Sequence, residues 1–179
     1  MVSNMIDIVE QQEQCSSLKT AEEFVHLYEK TRRLQQPMDL IGDFDNGTTH
    51  MNHYRFYYYD HYMDCYASTE KPLIEIGMRH VTEKLVYSET NFAAATALCN
   101  NLNEGYHAGK VLCYPDYDKK IIYFDVWFQS LVPQLPEDMD YMVEGTEILA
   151  GVVMEEVDKL IDQLNSEQTT KPKTAKQYE

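Results

Sequence analysis

Three sets of side chains carry enough chemistry to be tested first. His50-x-x-His53, with Asp60 and His61 further on, offers imidazoles and a carboxylate to a metal ion. A closed zinc site needs four well-placed ligands, and no cysteine lies near this group in sequence. Surface histidines are the simpler reading, so His50, His53 and His61 are weak metal candidates and no cofactor is implied. Cys99 and His107 flank a helix end and would suit a nucleophile and its base, but a lone cysteine on an apolar helix face is usually a small core residue. The carboxylate pairs Asp116/Asp118 and Asp138/Asp140 sit where turns and helix starts use acids. No Gly-x-Ser-x-Gly elbow, phosphate-binding glycine loop or His-Glu-x-x-His pattern occurs. With no catalytic residues to assign, the chain reads as a non-enzyme.

The remaining chemistry is aromatic. Residues 51–68 hold Tyr54, Tyr57, Tyr58, Tyr59, Tyr62 and Tyr66 around Phe56. Such a stripe could stack nucleobases, but that role needs basic company. Arg55 is the only lysine or arginine between Arg33 and Lys71. Tyrosine is equally useful where one end is buried and the other wet. Tyr57, Tyr59, Tyr123 and Trp127 are therefore the candidates for a partner or dimer interface.

These residues need a scaffold, which the apolar spacing predicts. Thr20-Ala21-Glu22-Glu23 is a capping box, so a helix should begin near residue 21 and stop before Pro37. Asp43 to Gly47 reads as a loop with an Asn-Gly turn. Strands are expected near 52–59 and 61–67, with a third from 73 to about 85. Ser88 should cap a helix whose apolar face is Phe92, Ala95, Leu98, Cys99 and Leu102, with Gly105 as its stop. Two strands follow, 110–114 and 120–128, joined by Pro115-Asp116-Tyr117-Asp118. In the second, Ile122, Phe124, Val126 and Phe128 should face the core. Ile121, Tyr123, Asp125 and Trp127 should face the other way, toward a surface or an interface. A long helix over 137–164 has an apolar seam through Met142, Thr146, Leu149, Val153, Val157, Leu160 and Leu164.

The expected architecture is α+β: an antiparallel sheet with helices packed on it, in the order helix, three strands, helix, two strands, helix. One domain should span 20–164, preceded by a partly helical extension over 1–19 and followed by a disordered tail over 165–179. This order, with the Asn100-Asn101-Leu102-Asn103 helix end before a Gly109-Lys110-Val111 strand, resembles the YbjN-domain family of bacterial sensory-transduction regulators. Those proteins look like the class I chaperones of type III secretion in fold. The resemblance implies a regulatory or chaperone-like role without catalytic residues. The N-terminal segment, the tyrosine-dense hairpin and the basic tail depart from the pattern.

Composition narrows the partners. Fifteen Lys and Arg face thirty Asp and Glu, a net charge of −15. A phosphate backbone or an anionic membrane would be repelled. The cysteines Cys15, Cys65, Cys99 and Cys113 form no C-x-x-C pair and suit reduced thiols. No secretory signal or membrane span is read, so a cytoplasmic location is expected. The expected function is a protein-binding module, chaperone-like or regulatory, acting as a homodimer with a protein partner. The alternatives are a small-molecule or metal sensor with a pocket near the tyrosine-rich hairpin, and an enzyme of unrecognised type. The polar residues after Leu164 offer almost no apolar surface, so truncation at Asn165 should leave the melting temperature nearly unchanged in calorimetry. A fall of many degrees would show that the tail docks.

Overall fold

A computed structural model describes residues 20–32, 37–45, 47–58, 60–106, 109–133 and 136–170. The expected extension 1–19 lies outside them, as do residues 171–179 of the expected tail. The elements are α1 (Ala21–Arg32), β1 (Asp39–Asp45), β2 (His50–Tyr58), β3 (His61–Ser68), β4 (Leu73–Met78), β5 (Leu85–Val86), α2 (Glu89–Gly105), β6 (Lys110–Asp116), β7 (Ile121–Leu131) and α3 (Pro136–Thr170).

The architecture is α+β, as expected, and the described residues form three helices against one seven-stranded antiparallel sheet. The chain of pairings runs β1-β2-β3-β4-β7-β5, and β6 pairs with β7 as well. β7 is long enough to take β4 along 126–131, β5 at 121–122 and β6 along 121–127.

Local signals explain most boundaries. Thr20 and Glu23 form the capping box, each accepting from the other's backbone N–H at 3.3 and 3.2 Å. Ser88 accepts from the Asn91 N–H at 3.1 Å and starts α2. Gly105 stays inside α2, and Tyr106 is the C-cap with φ −115°, so the expected glycine stop is displaced by one residue. Pro136 opens α3 at the position where its missing N–H costs nothing.

Three expectations are corrected. β1 replaces part of the loop expected over 43–47, because three aspartates and a glycine hid an edge strand whose seven residues are all exposed. The Asn-Gly signal marks its hairpin turn, where Gly47 has φ +79° and donates to Asp45 Oδ1 at 2.7 Å. The single strand expected over 73–85 is broken into β4 and β5, with His80 between them at φ +54°. α3 runs to Thr170, so residues 165–170 are helical rather than part of a tail.

The core lies between the helices and one face of the sheet. Tyr54, Phe56, Met63, Cys65, Ile74, Ile76, Ile122, Phe124 and Val126 meet Phe24, Tyr28, Ala95, Leu102, Leu149 and Val153 there. Among the described residues no helix lies on the opposite face. Asn103 then ties α2 to the edge strand: its amide donates to the Val111 carbonyl at 2.9 Å and accepts from the Val111 N–H at 2.7 Å. It occupies the place a neighbouring strand would take. Leu149 is 2% exposed in the middle of the α3 seam. Leu149→Ala should cost about 2–5 kcal/mol in chemical denaturation; wild-type stability would mean that the seam does not pack as described.

Candidate functional site

The helix-free face of the sheet is set by register. Asp64 stands beside Arg55 on one side and Gly77 on the other, and Gly77 stands beside Trp127. One step along, Tyr66 stands between His53 and Glu75, and Glu75 faces Gln129. Alternation puts all of these on the side opposite Cys65, Ile76 and Val126.

A buried carboxylate sits at the centre. The Asp64 side chain is 4% exposed. Its Oδ1 accepts from His53 Nε2 at 2.6 Å, from Arg55 Nε at 3.0 Å and from Arg55 Nη2 at 2.9 Å, while Arg79 Nε lies 3.6 Å from Oδ2. Around this knot the rings are layered. His53 stacks on Tyr66 at 4.4 Å, Phe44 meets Tyr66 edge-on, and Tyr66 and Trp127 are 5.5 Å apart. The Arg79 guanidinium lies 5.7 Å from the Tyr66 centroid and 5.6 Å from that of Trp127, and it donates to the Tyr66 hydroxyl. Burial raises the Tyr66 pKa, and Arg79 partly offsets this. Gly77 makes the layering possible: a Cβ there would stand 2.3 Å from the Trp127 ring. Phe44, Met51, Tyr66, Glu75, Arg79 and Trp127 enclose a cleft of about 330 Å³.

A second carboxylate lies further along β7. Asp125 accepts from the His80 backbone N–H at 2.9 Å and from the Tyr114 hydroxyl at 3.2 Å. Burial, with the Asp125 charge beside it, pushes the Tyr114 hydroxyl well above its usual pKa. The left-handed backbone of His80 costs about 1–2 kcal/mol. The Asp125 contact and the stacking of the His80 ring on Tyr123, 4.0 Å between centroids, hold it there.

The expected site residues separate. Trp127 is half-buried in the cleft and Tyr57 is half-buried against the exposed Tyr62. Tyr123 is 2% exposed and enclosed by His80, Tyr114 and Lys119, which corrects its expected availability. Tyr59 and His107 lie outside the described residues. His50 and His53 occupy opposite faces of β2, and His61 stands 3.9 Å from Glu147. Among the described residues no group of three or more His, Cys, Asp or Glu is placed to hold a metal ion. Asp116 serves its turn by accepting from the Asp118 and Lys119 N–H groups, and Asp140 accepts from the Tyr28 hydroxyl. Sequence reasoning missed Asp64, Glu75, Arg79 and His80. An Arg-His pair after the apolar run 73–78 was the signal of a break.

Cys99 faces Cys113 of β6 rather than a histidine. The Cys99 thiol beside it lowers the Cys113 pKa, and Thr96 Oγ1, which donates to the Phe92 carbonyl, lies 3.8 Å from Cys113 Sγ. The hydrogen bond to Cys113, with burial, pushes Cys99 up. Burial, then the Asp64 charge, pushes Cys65 up.

No protein-family model matches the chain, and no curated protein matches it. No helix among the described residues is long and apolar enough to cross a membrane.

The three described thiols should therefore differ in native-state alkylation by iodoacetamide, read by peptide mass spectrometry. Cys113, half-buried and with its pKa lowered by the neighbouring Cys99, should react first, its rate rising with pH as the thiolate forms. Cys65 should react last. Equal rates for Cys65 and Cys113 would contradict the placement of both.

Proposed function

We propose that this protein is a non-catalytic protein-binding module, chaperone-like or regulatory, that docks through the helix-free face of its sheet. One observation carries the reading: Phe44, Tyr62, Leu112 and Leu131 all lie on that face and are 52%, 64%, 39% and 68% exposed. Comparably exposed groups also occur elsewhere, Tyr141 and Ile148 on α3 among them, but exposed aromatics on an open sheet face are of the kind enriched where chains meet. Charge points the same way. Glu144, Glu147, Glu155, Asp158 and Asp162 are on α3, in the helical layer away from this face. Arg55, Arg79 and Lys110 are on the face itself, together with Asp39, Asp64, Glu75 and Asp125, so its charge is mixed rather than uniformly acidic. The resemblance of the helix end and following strand to the YbjN-domain family, and through it to class I type III secretion chaperones, agrees with a bacterial protein of this kind, although β1 and β5 add to the element order. The acidic surface disfavours nucleic acid and anionic membranes, which agrees with a cytoplasmic setting.

The first occupant of the face is a second copy of the chain, in a two-fold homodimer. The protein partner of the dimer is defined by the same apolar face. The cleft beside Tyr66 favours a second reading, a small-molecule sensor using the tyrosine-rich hairpin.

Light scattering coupled to gel filtration tests the assembly. The wild type should give twice 20.9 kDa, more completely as salt screens the charge of −15. Phe44→Glu combined with Leu131→Glu should give a monomer that remains folded by circular dichroism, since both side chains are exposed. A wild type of 20.9 kDa at high concentration and moderate salt overturns the dimer and leaves the face to another partner.

A further inference from the structure

One positive and one negative side chain face the same aromatic cleft. Arg79 and Glu75 both line it, with Phe44, Met51, Tyr66 and Trp127 as its apolar walls. Its volume of about 330 Å³ is at the small end of the roughly 300–1,000 Å³ typical of ligand sites. We propose that this cleft binds a free α-amino acid with an apolar or aromatic side chain, taking its carboxylate on Arg79 and its ammonium on Glu75. Phe44 is shared with the docking face, and the inference rests on the cleft's own charged pair rather than on that docking.

Arg79 has donors to spare. A guanidinium carries five N–H donors. One goes to the Tyr66 hydroxyl, and Nε stands 3.6 Å from Asp64, outside hydrogen-bonding distance. Asp64 is already served by Arg55 and His53 at 2.6–3.0 Å. Arg79 is also positioned: its guanidinium lies 5.7 and 5.6 Å from the Tyr66 and Trp127 ring centroids, and its side chain is 40% exposed. A planar fork held in this way suits a bidentate carboxylate.

Glu75 provides the other half. Its Oε1 accepts from Gln129 Nε2 at 2.6 Å, a neutral donor that orients the carboxylate without cancelling its charge. A simple anion entering the cleft would meet Glu75, and a simple cation would meet Arg79. A zwitterion meets both favourably, and its side chain is left to lie on Phe44, Met51 and Trp127. Residues inside a peptide chain carry neither charge, so a free amino acid is the ligand that fits.

Trp127 is the only tryptophan in the chain, and it lines the cleft. Its emission therefore reports occupancy. The full-length protein would be titrated with L-phenylalanine and L-leucine, and in parallel with 3-phenylpropionate, which lacks the ammonium, and 2-phenylethylamine, which lacks the carboxylate. Saturable changes in emission are expected with the amino acids, and binding weaker by about tenfold or more with each single-charge analogue. Arg79→Gln and Glu75→Gln should each weaken L-phenylalanine binding similarly. Glu75→Gln should also narrow the gap between L-phenylalanine and 3-phenylpropionate, which a merely structural role would not do. Circular dichroism checks that each variant is folded, and Arg79→Lys replaces Arg79→Gln if the latter is not. The proposal is overturned if the folded wild type shows no saturable response to either amino acid at millimolar concentration. It is also overturned if 3-phenylpropionate or 2-phenylethylamine binds as tightly as L-phenylalanine. Binding of the dimer partner is measured separately by mass, so either result can fail alone.

Discussion

The Asp64 carboxylate is the constraint around which the helix-free face is arranged. A charge withdrawn from water costs several kcal/mol unless it is paired and hydrogen-bonded. Asp64 meets that demand with hydrogen bonds from Arg55 and His53 of β2, and the Arg79 charge at the end of β4 adds attraction from 3.6 Å. Each of these partners then dictates something else. His53 is turned so that its ring stacks on Tyr66. Arg79 is drawn back over the sheet, where Tyr66 and Trp127 receive it. Gly77 leaves room for the Trp127 ring. The aromatic cleft is thus a consequence of satisfying one buried charge, and its apolar walls would not be layered in this way without it.

The sheet protects its edge and leaves its face open, and that combination limits how a partner can dock. In an antiparallel strand, alternate residues direct both backbone groups to the same side. On the outer side of β6 the groups of Val111 are taken by Asn103, and Pro115 has no N–H to give. β1, at the other end of the pairing order, has a register shift between Leu40 and Gly42 and carries Asp39, Asp43 and Asp45. Bulges and charges of this kind disfavour the addition of another strand. Side chains on the open face are therefore better placed to recognise a partner than either edge.

The layers facing the helices were the legible part of the sequence. The seam through Leu149 and Val153 and the alternation of Ile122, Phe124 and Val126 place their residues in the core as expected. Both are periodic apolar patterns, and burial of one face is what makes such patterns informative. The other face follows a different logic. Tyr123 and Asp125 looked like surface residues because they alternate with the core, yet they are buried by His80 and Tyr114, which come from other strands or their ends. Nothing in the local pattern of β7 announces those neighbours. β1 was hidden for a related reason: an edge strand with no buried side chain leaves no apolar period to read.

His80 shows how the two layers are coupled. Its left-handed backbone ends β4 and turns the chain before β5 begins, so that Val81 can donate to the Phe124 carbonyl at 2.8 Å. Because the break follows Arg79 directly, the same turn that redirects the strand delivers the guanidinium to the Asp64 side and the imidazole to the Tyr123 side. The cleft around Arg79 and the enclosed group around Asp125 are therefore neighbours joined through two consecutive residues. Strain of this size persists only where surrounding contacts over-determine it. Here they do so from both sides, through the Asp125 carboxylate and the Tyr123 ring. A segment continuing as regular strand would alternate Arg79 and His80 to opposite faces of the sheet. The break is what allows both side chains to serve the helix-free one.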